Sequence, residues 1–309
     1  MQKEKIITSQ IPEGFSQTRL DLYLSKRFTY LSRALWQKEI KNGKIHLNGS
    51  LVSSPGKVVR SGDIVSYEGD FREEPPVDTA YSIVYEDEYL IVINKPANLP
   101  VHPAGCFFFN TLLSILEKER NEKLYPIHRI DRETSGLVLF SRKADITSSF
   151  QRALAEGKKT YYVIVHGHSA ENKFTVSVPI GSARKSIIRK KREAYEGAPE
   201  SALTHFTRIK EHNNLTLLEA VIETGRQHQI RVHCLYAGLP VVGDKIYGLD
   251  ENCYLEFIEK GTTQRIVSLL GFHRSALHST SITITHPLTK EELLFTASLP
   301  NELAKLIEF

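Results

Sequence analysis

His128-Arg-Ile-Asp-Arg-Glu-Thr-Ser-Gly-Leu137 sets two arginines, an aspartate and a glutamate against a Thr-Ser-Gly turn, and it opens onto the apolar run Leu137-Val-Leu-Phe140. The apolar run predicts a buried strand, so Asp131 falls in the turn leading into it. A carboxylate placed there needs a cationic partner. Nearby guanidinium groups lower its pKa and hold it ionised, which suits a nucleophile or base better than a general acid. The plainer reading is an aspartate that caps a turn and pairs with arginine to no catalytic end, and spacing alone does not separate the two.

Three other polar stretches lie between apolar runs: Asn94-Lys-Pro96, Lys159-Thr-Tyr-Tyr162 and Gly225-Arg-Gln-His-Gln-Ile-Arg-Val-His233. In the last, Ile230 and Val232 alternate with Gln229, Arg231 and His233, which on a strand puts Arg231 on the polar face. An inward arginine needs an acid, and Asp131 is available. Tyr161 and Tyr162 would face opposite sides of one strand, with Tyr162 the better core residue. His228 and His233 are five apart, wrong for one helical face and for adjacent same-face strand positions, so no metal site is expected. The chain has no Walker loop, no Gly-x-Gly-x-x-Gly, no His-Glu-x-x-His and no Gly-x-Ser-x-Gly, which sets aside nucleotide-driven, nicotinamide-dependent, zincin and α/β-hydrolase chemistry.

A length of 309 residues suits two compact domains, and a composition 41% hydrophobic and 25% charged is that of a globular chain. No apolar run reaches the ~20 residues that cross a bilayer, and Met1-Gln-Lys-Glu-Lys5 is too polar for a signal peptide. A cytoplasmic chain without membrane contact is expected. Cys106, Cys234 and Cys253 are odd in number and form no Cys-x-x-Cys pair, which argues for plain thiols. Two β-rich runs flank an acidic turn between Ser82 and Lys95, and others follow at 137–140, 160–165, 215–222 and 281–285. Helices are expected at 111–120 and 145–156. This mixture lacks the regular alternation of a doubly wound sheet and predicts an α+β domain with a mixed, largely antiparallel sheet.

Net charge is only +4. Its distribution is more telling, because Arg19 to Tyr67 holds nine basic residues against three acidic. Leu20, Leu24 and Phe28 recur at helical spacing after Thr18, a possible N-cap, and a second helix starts at Ser32 and stops before Gly43. Asn48-Gly49 predicts a hairpin and Arg60-Ser-Gly-Asp63 a second turn. Arg33, Lys41 and Lys44 fall within an arc of about 80° if Lys44 extends the second helix. By itself that ridge reads as a solvated face. The expected organisation is a small basic domain at 1–70, an acidic, Pro-paired linker at 71–79, and a second domain at 80–309.

The stretches Thr18-Arg-Leu-Asp-Leu-Tyr-Leu24, Leu31-Ser-Arg33, Ile40 to Gly49 and Arg60 to Val65 resemble the alpha-L (S4-like) RNA-binding module. The second domain resembles the RluA-type pseudouridine synthases. His128 to Leu137 is similar to the family's catalytic-aspartate motif, Lys159-Thr-Tyr161 to its tyrosine motif, and Gly225 to His233 to its arginine motif. Flanking likenesses include Asn94-Lys-Pro96, Leu99-Pro-Val-His-Pro103, Gly243-Asp-Lys-Ile-Tyr-Gly248, Leu277-His-Ser279 and His286-Pro287. Ile130, Asn98 and Ser141 are small departures, and the run Arg184 to Arg192, with six basic residues, has no clear counterpart.

The resemblance implies an isomerase that breaks the glycosidic bond of a uridine within RNA and rejoins the uracil through carbon 5, without cofactor or metal. Asp131 would be the catalytic carboxylate, Arg231 its partner, and Tyr161 a stacking face whose hydroxyl serves the carbon-5 proton. A phenol near pKa 10 is a poor base without a cationic or dry setting. The target base must be flipped out of its stack, and Arg129 is matched to the vacated space. His128, Thr134, Arg226, His228, Gln229 and Ile230 would complete the substrate pocket. Arg19, Arg33, Lys38, Lys41, Lys44, Arg184, Lys185, Arg189, Lys190 and Lys191 would contact RNA phosphates. Ribosomal RNA of the large subunit is the expected substrate, transfer RNA the second, and a monomer the expected state. A non-catalytic RNA-binding or ribosome-assembly protein is the alternative, and an Asp131-dependent hydrolase a weaker one.

Overall fold

The computed structural model describes residues 6–28, 31–68, 74–248 and 250–308. Met1 to Lys5 and the first part of the expected linker, with Phe71, lie outside the described residues. The chain divides into two compact units, residues 1–77 with 102–119, and residues 78–101 with 120–309. Residues 102–119 therefore pack with the N-terminal unit, although a cut along the sequence puts them in the second domain. Glu74, near the end of the linker, is also tied down, its carboxylate accepting the N–H groups of Phe109 and Asn110.

The first unit comprises β1 (Ile6–Gln10), β2 (Thr18–Arg19), α1 (Leu20–Arg27), α2 (Arg33–Lys41), β3 (Ile45–Leu47), β4 (Ser50–Leu51), β5 (Val58–Val59), β6 (Ile64–Glu68) and α3 (Leu112–Arg120). The sheet order is β1-β6-β3-β4. Asn48 and Gly49, with φ of 52° and 78°, make the hairpin between β3 and β4. The second helix begins at Ser32 as expected, and Ser32 caps it, its hydroxyl accepting from Leu35 N at 3.3 Å. Thr18 does not cap α1. It lies in β2 opposite Val59, and the first helical N–H groups, of Leu20 and Asp21, are satisfied by the carbonyls of Lys57 and Pro55 instead. Lys44 does not extend α2 either, because Gly43 at φ 73° turns the chain off the helix axis. Trp36, Tyr23, Leu20, Leu24, Ile40 and Ile45 are fully buried and form the core of this unit.

The second unit comprises β7 (Ser82–Glu86), β8 (Leu90–Lys95), β9 (Tyr125–Pro126), β10 (Ser135–Ser141), α4 (Thr147–Glu156), β11 (Lys158–His166), β12 (Lys173–Val176), β13 (Ile180–Ser182) and β14 (Arg192–Ala194). It continues with β15 (Thr204–His212), β16 (Leu215–Ile222), α5 (Gln229–Tyr236), α6 (Asn252–Lys260), α7 (Gln264–Leu270), β17 (Leu277–Thr285), β18 (Glu292–Thr296) and α8 (Asn301–Ala304). Its main sheet runs β12-β15-β16-β11-β17-β10-β8-β7, with β18 beside β17 and β9 beside β10. Among the described residues its pairings are antiparallel except β10 with β17, which is parallel. The expected α+β class and largely antiparallel sheet are thus observed.

The sequence is wrong about Gln229 to His233, which begins helix α5 rather than forming a strand. Residues 229–234 are all buried, so the polar and apolar alternation carried no information about which side faces solvent. The helix starts after His228 at φ 60°, and Gly238 at φ 75° follows its end.

The parallel contact between β10 and β17 needs glycine. Gly136 has φ 106°, and a Cβ there would lie 2.1 Å from Ser279 O. Gly136→Ala should lower stability by roughly 2–4 kcal/mol. Gly225→Ala, with no atom within 4 Å of the added carbon, should change it by less than about 0.5 kcal/mol. Urea titration of both full-length variants measures the difference, and equal midpoints would contradict this account of the sheet.

Candidate active site around Asp131

Asp131 sits in the turn before β10, where its own carbonyl accepts from Thr134 N at 3.1 Å. Buried basic side chains fix this turn. Lys95, fully buried at the end of β8, directs Nζ to the carbonyls of Pro96 (2.7 Å) and Arg132 (3.3 Å). Arg274 donates to Glu133 O at 3.2 Å, and Lys245 Nζ meets Glu133 Oε1 at 2.6 Å. Burial drives the Lys95 ammonium well below the usual lysine range, and Arg274 adds to the effect. His128 belongs to the same scaffold: its Nε2 accepts Leu139 N at 3.2 Å, and burial lowers its pKa to about 4. The neutral ring, bound to β10, supports the loop.

Arg231 reaches the turn from the first part of α5. Its Nη1 donates to Asp131 Oδ2 at 2.7 Å, while Nε and Nη2 grip Asp244 at 2.6 and 2.8 Å. The acid expected for Arg231 is therefore present, and a second one was missed. Asp244 is fully buried and also accepts the N–H groups of Ile246 and Tyr247, at 2.9 and 3.0 Å. It stands in Gly243-Asp-Lys-Ile-Tyr-Gly248, where Gly243 at φ 73° allows a close approach to Arg274 O. The available signal was the need of a buried arginine for more than one acceptor.

Burial pushes the Asp131 carboxyl up, but the charges of His228, when protonated, and Arg231 outweigh it and hold it at about 2. His228 is itself lowered to about 4 by burial and by Arg231, so at neutral pH the guanidinium is the cation that keeps Asp131 ionised. The Asp131 side chain is 29% exposed, and Oδ1, 3.7 Å from His228 Nε2, is the oxygen not bound by Arg231. The site thus combines an ionised, partly exposed carboxylate with an oxygen that Arg231 does not bind. Tyr161, on β11 opposite Ser279 of β17, is nearly buried; burial raises its phenol to about 12, and the Asp131 charge adds to the shift. The setting is dry but not cationic, so it strengthens the O–H and does not make a base.

The remaining expected pocket residues separate by their hydrogen bonds. Gln229 is committed internally, accepting from Thr224 Oγ1 and Arg226 N and donating to Leu203 O and Thr204 Oγ1. Ile230 is buried at 5% exposure. Arg226 is exposed and donates to Ser201 O, and Arg129 is exposed beside Asp131. Thr134 Oγ1 is buried without a hydrogen-bond partner among the described residues.

The expected RNA contacts separate in the same way. Arg19 and Arg33 both bind the fully buried Asp21, at 3.0 Å each, and Gln37 donates to the same carboxylate at 2.6 Å. Lys38 and Lys41 are exposed, and Lys44 is half-buried. In the basic run, Arg184 pairs with Glu193 and lies over Tyr195, Lys191 pairs with Glu251, and Lys190 lies over Tyr254. Lys185 and Arg189 are exposed.

These features agree with what the chain is similar to. Residues 89–236 match the family described as RNA pseudouridylate synthase, and residues 18–65 match the S4 domain. The ribosomal large subunit pseudouridine synthase D of Vibrio cholerae is 32% identical over 97% of this chain and 93% of its own length. Its counterpart from Escherichia coli K12 is 32% identical over 98% and 93%. Among solved structures, human RNA pseudouridylate synthase domain containing 4 is 25% identical, with a TM-score of 0.55 over 72% of this chain and 90% of that one. The chain belongs to the RNA pseudouridine synthase family and carries an S4 RNA-binding domain. It is an RNA-binding isomerase, and among the described residues no helix is long and apolar enough to cross a membrane.

With its pKa depressed, Asp131 is ionised above about pH 2 and loses its charge only as pH falls through that value. Removing the guanidinium leaves burial as the dominant influence. In Arg231→Gln/Asp244→Asn, where Asp244 is not left as an unpaired buried charge, the acid limb of the single-turnover rate should rise by roughly 1–3 pH units. A pH–rate profile measures it, and an unmoved limb would contradict the pairing.

Proposed function

We propose that this chain isomerises specific uridines to pseudouridine in structured ribosomal RNA of the large subunit, with transfer RNA as the second substrate class. The observation that carries the reading is the Asp131 carboxylate, held by Arg231 through one oxygen and open at the other. The names of the relatives that match nearly the full chain support the choice of RNA. In this reading the target uridine is flipped out of its stack at a cost of a few kcal/mol, and Arg129 fills the space it leaves. Asp131 is the catalytic carboxylate. Tyr161 offers a flat face for the uracil and a protonated hydroxyl, and any removal of the carbon-5 proton through it requires the bound substrate to change its surroundings. Thr134, Arg226 and His228 border the substrate, while His128, Gln229 and Ile230 hold the walls. No metal or cofactor enters the scheme.

Residues 1–70 would bind RNA, 71–79 connect, and 80–309 catalyse. The exposed Lys38 and Lys41, with Lys44, would contact phosphates, together with Lys185, Arg189 and the outer parts of Arg184, Lys190 and Lys191. Arg19 and Arg33 would do so as a pair oriented by Asp21. The polar groups of the active site come from one unit of one chain, which supports a monomer, and an RNA substrate supports the cytoplasm.

Asp131→Asn should keep RNA affinity within about twofold, yet abolish tritium release from RNA labelled at uridine carbon 5. Full release by that variant would refute the assignment, and strand scission or free uracil in the wild type would point to a hydrolase instead. Pseudouridine mapping of large-subunit and transfer RNA, with and without the protein, separates the two substrates. The triple change Lys38→Gln, Lys41→Gln and Lys44→Gln should reduce the slope of log affinity against log salt by roughly 2. An unchanged slope would remove these lysines from the interface.

A further inference from the structure

Tyr247 is fully buried, with its ring over the Arg231 guanidinium at 4.9 Å, and its hydroxyl has two partners among the described residues. It accepts the backbone N–H of Arg192 at 3.0 Å and lies 2.7 Å from His228 Nδ1. A phenol has one proton to give. If His228 carried its proton on Nδ1 and donated to Tyr247, the tyrosine O–H would have no acceptor in a site closed to solvent, an outcome that costs about 1–3 kcal/mol. The arrangement that satisfies every group has the tyrosine donating to Nδ1. His228 then carries its proton on Nε2, the nitrogen that faces Asp131 Oδ1 at 3.7 Å.

We propose that Tyr247 is a positioning residue for the isomerisation, fixing His228 in the tautomer that turns an N–H toward the open oxygen of Asp131. The inference rests on the assignment of Asp131 as the reacting carboxylate. The alternative tautomer would turn a lone pair toward Oδ1, and the repulsion would rotate the carboxylate away from the flipped base or off Arg231. At 3.7 Å the N–H is too distant for a hydrogen bond, so it orients the oxygen without engaging the lone pair needed for reaction. His228 therefore works as a directional dipole at neutral pH. The Tyr247 hydroxyl acts on Asp131 only through it, and the ring, which packs on Arg231, is kept in Tyr247→Phe.

The test uses the full-length protein labelled with nitrogen-15 in histidine. His228 is assigned from the signal lost in His228→Gln. In the wild type its ring should show the Nε2–H pattern at neutral pH, and in Tyr247→Phe it should become a mixture of the two tautomers. The same variant keeps the buried ring, so the fold is preserved. With a large-subunit ribosomal RNA transcript it should lose roughly 10- to 100-fold in single-turnover rate while the RNA dissociation constant changes less than about twofold. Tyr247→Phe/His228→Gln should be no slower than His228→Gln alone, since the tyrosine hydroxyl has no other route to Asp131. An Nδ1–H ring in the wild type, an unchanged ring in Tyr247→Phe, or losses that add in the double variant would each overturn the proposal. The nitrogen spectra do not depend on turnover, so a wild-type protein that shows the Nε2–H ring but forms no pseudouridine would refute the functional reading alone.

Discussion

Arg231 lies between two carboxylates, and the site depends on its serving both. A lone guanidinium buried beneath Asp131 would carry a large desolvation penalty, and a lone Asp131 in the same place would take up a proton. Asp244 resolves the conflict. It satisfies two of the arginine's donors in the interior and leaves Nη1 aimed at Asp131 Oδ2. The Asp131 carboxylate is thereby ionised and oriented by a group that keeps its own charge over the whole working range of pH.

The same economy of buried charge extends through the loop. Lys95, Lys245 and Arg274 are nearly or fully inaccessible, and their hydrogen bonds go to backbone carbonyls of the loop, to Glu133 and to their own surroundings. Lys159 plays a comparable part elsewhere, directing Nζ to the carbonyls of Leu154, Ala155 and Gly157 where α4 ends. Four basic side chains that a charge count would assign to nucleic acid are thus consumed by the architecture.

Much of this was legible in the sequence because it depends on local chemistry. The Asn48-Gly49 hairpin, the start of α2 at Ser32 and the buried β10 follow from turn residues, helical spacing and an unbroken apolar run. The Asp131–Arg231 pair was legible because an inward arginine needs an acid. Other features were hidden because they arise only when distant segments meet. The helix at Gln229 looked like a strand because it is buried on nearly every side, and Asp244 stood only within a flanking likeness because Arg231 reaches it only in the folded state. Arg19 and Arg33 stood among the expected phosphate contacts, with no sign in the sequence that Asp21, two and twelve residues away, holds both.

The parallel contact between β10 and β17 has a consequence for biosynthesis. It joins Ser135 and Gly136 to His278 and Ser279, and Arg274, which steadies Glu133, is in turn paired with Glu302. The anchors of the Asp131 turn therefore leave the ribosome long after the turn itself. A nascent chain can complete the hairpin of its first unit early but cannot fix the Asp131 turn until β17 has been made. Until then the carboxylate lacks the setting that holds it in place.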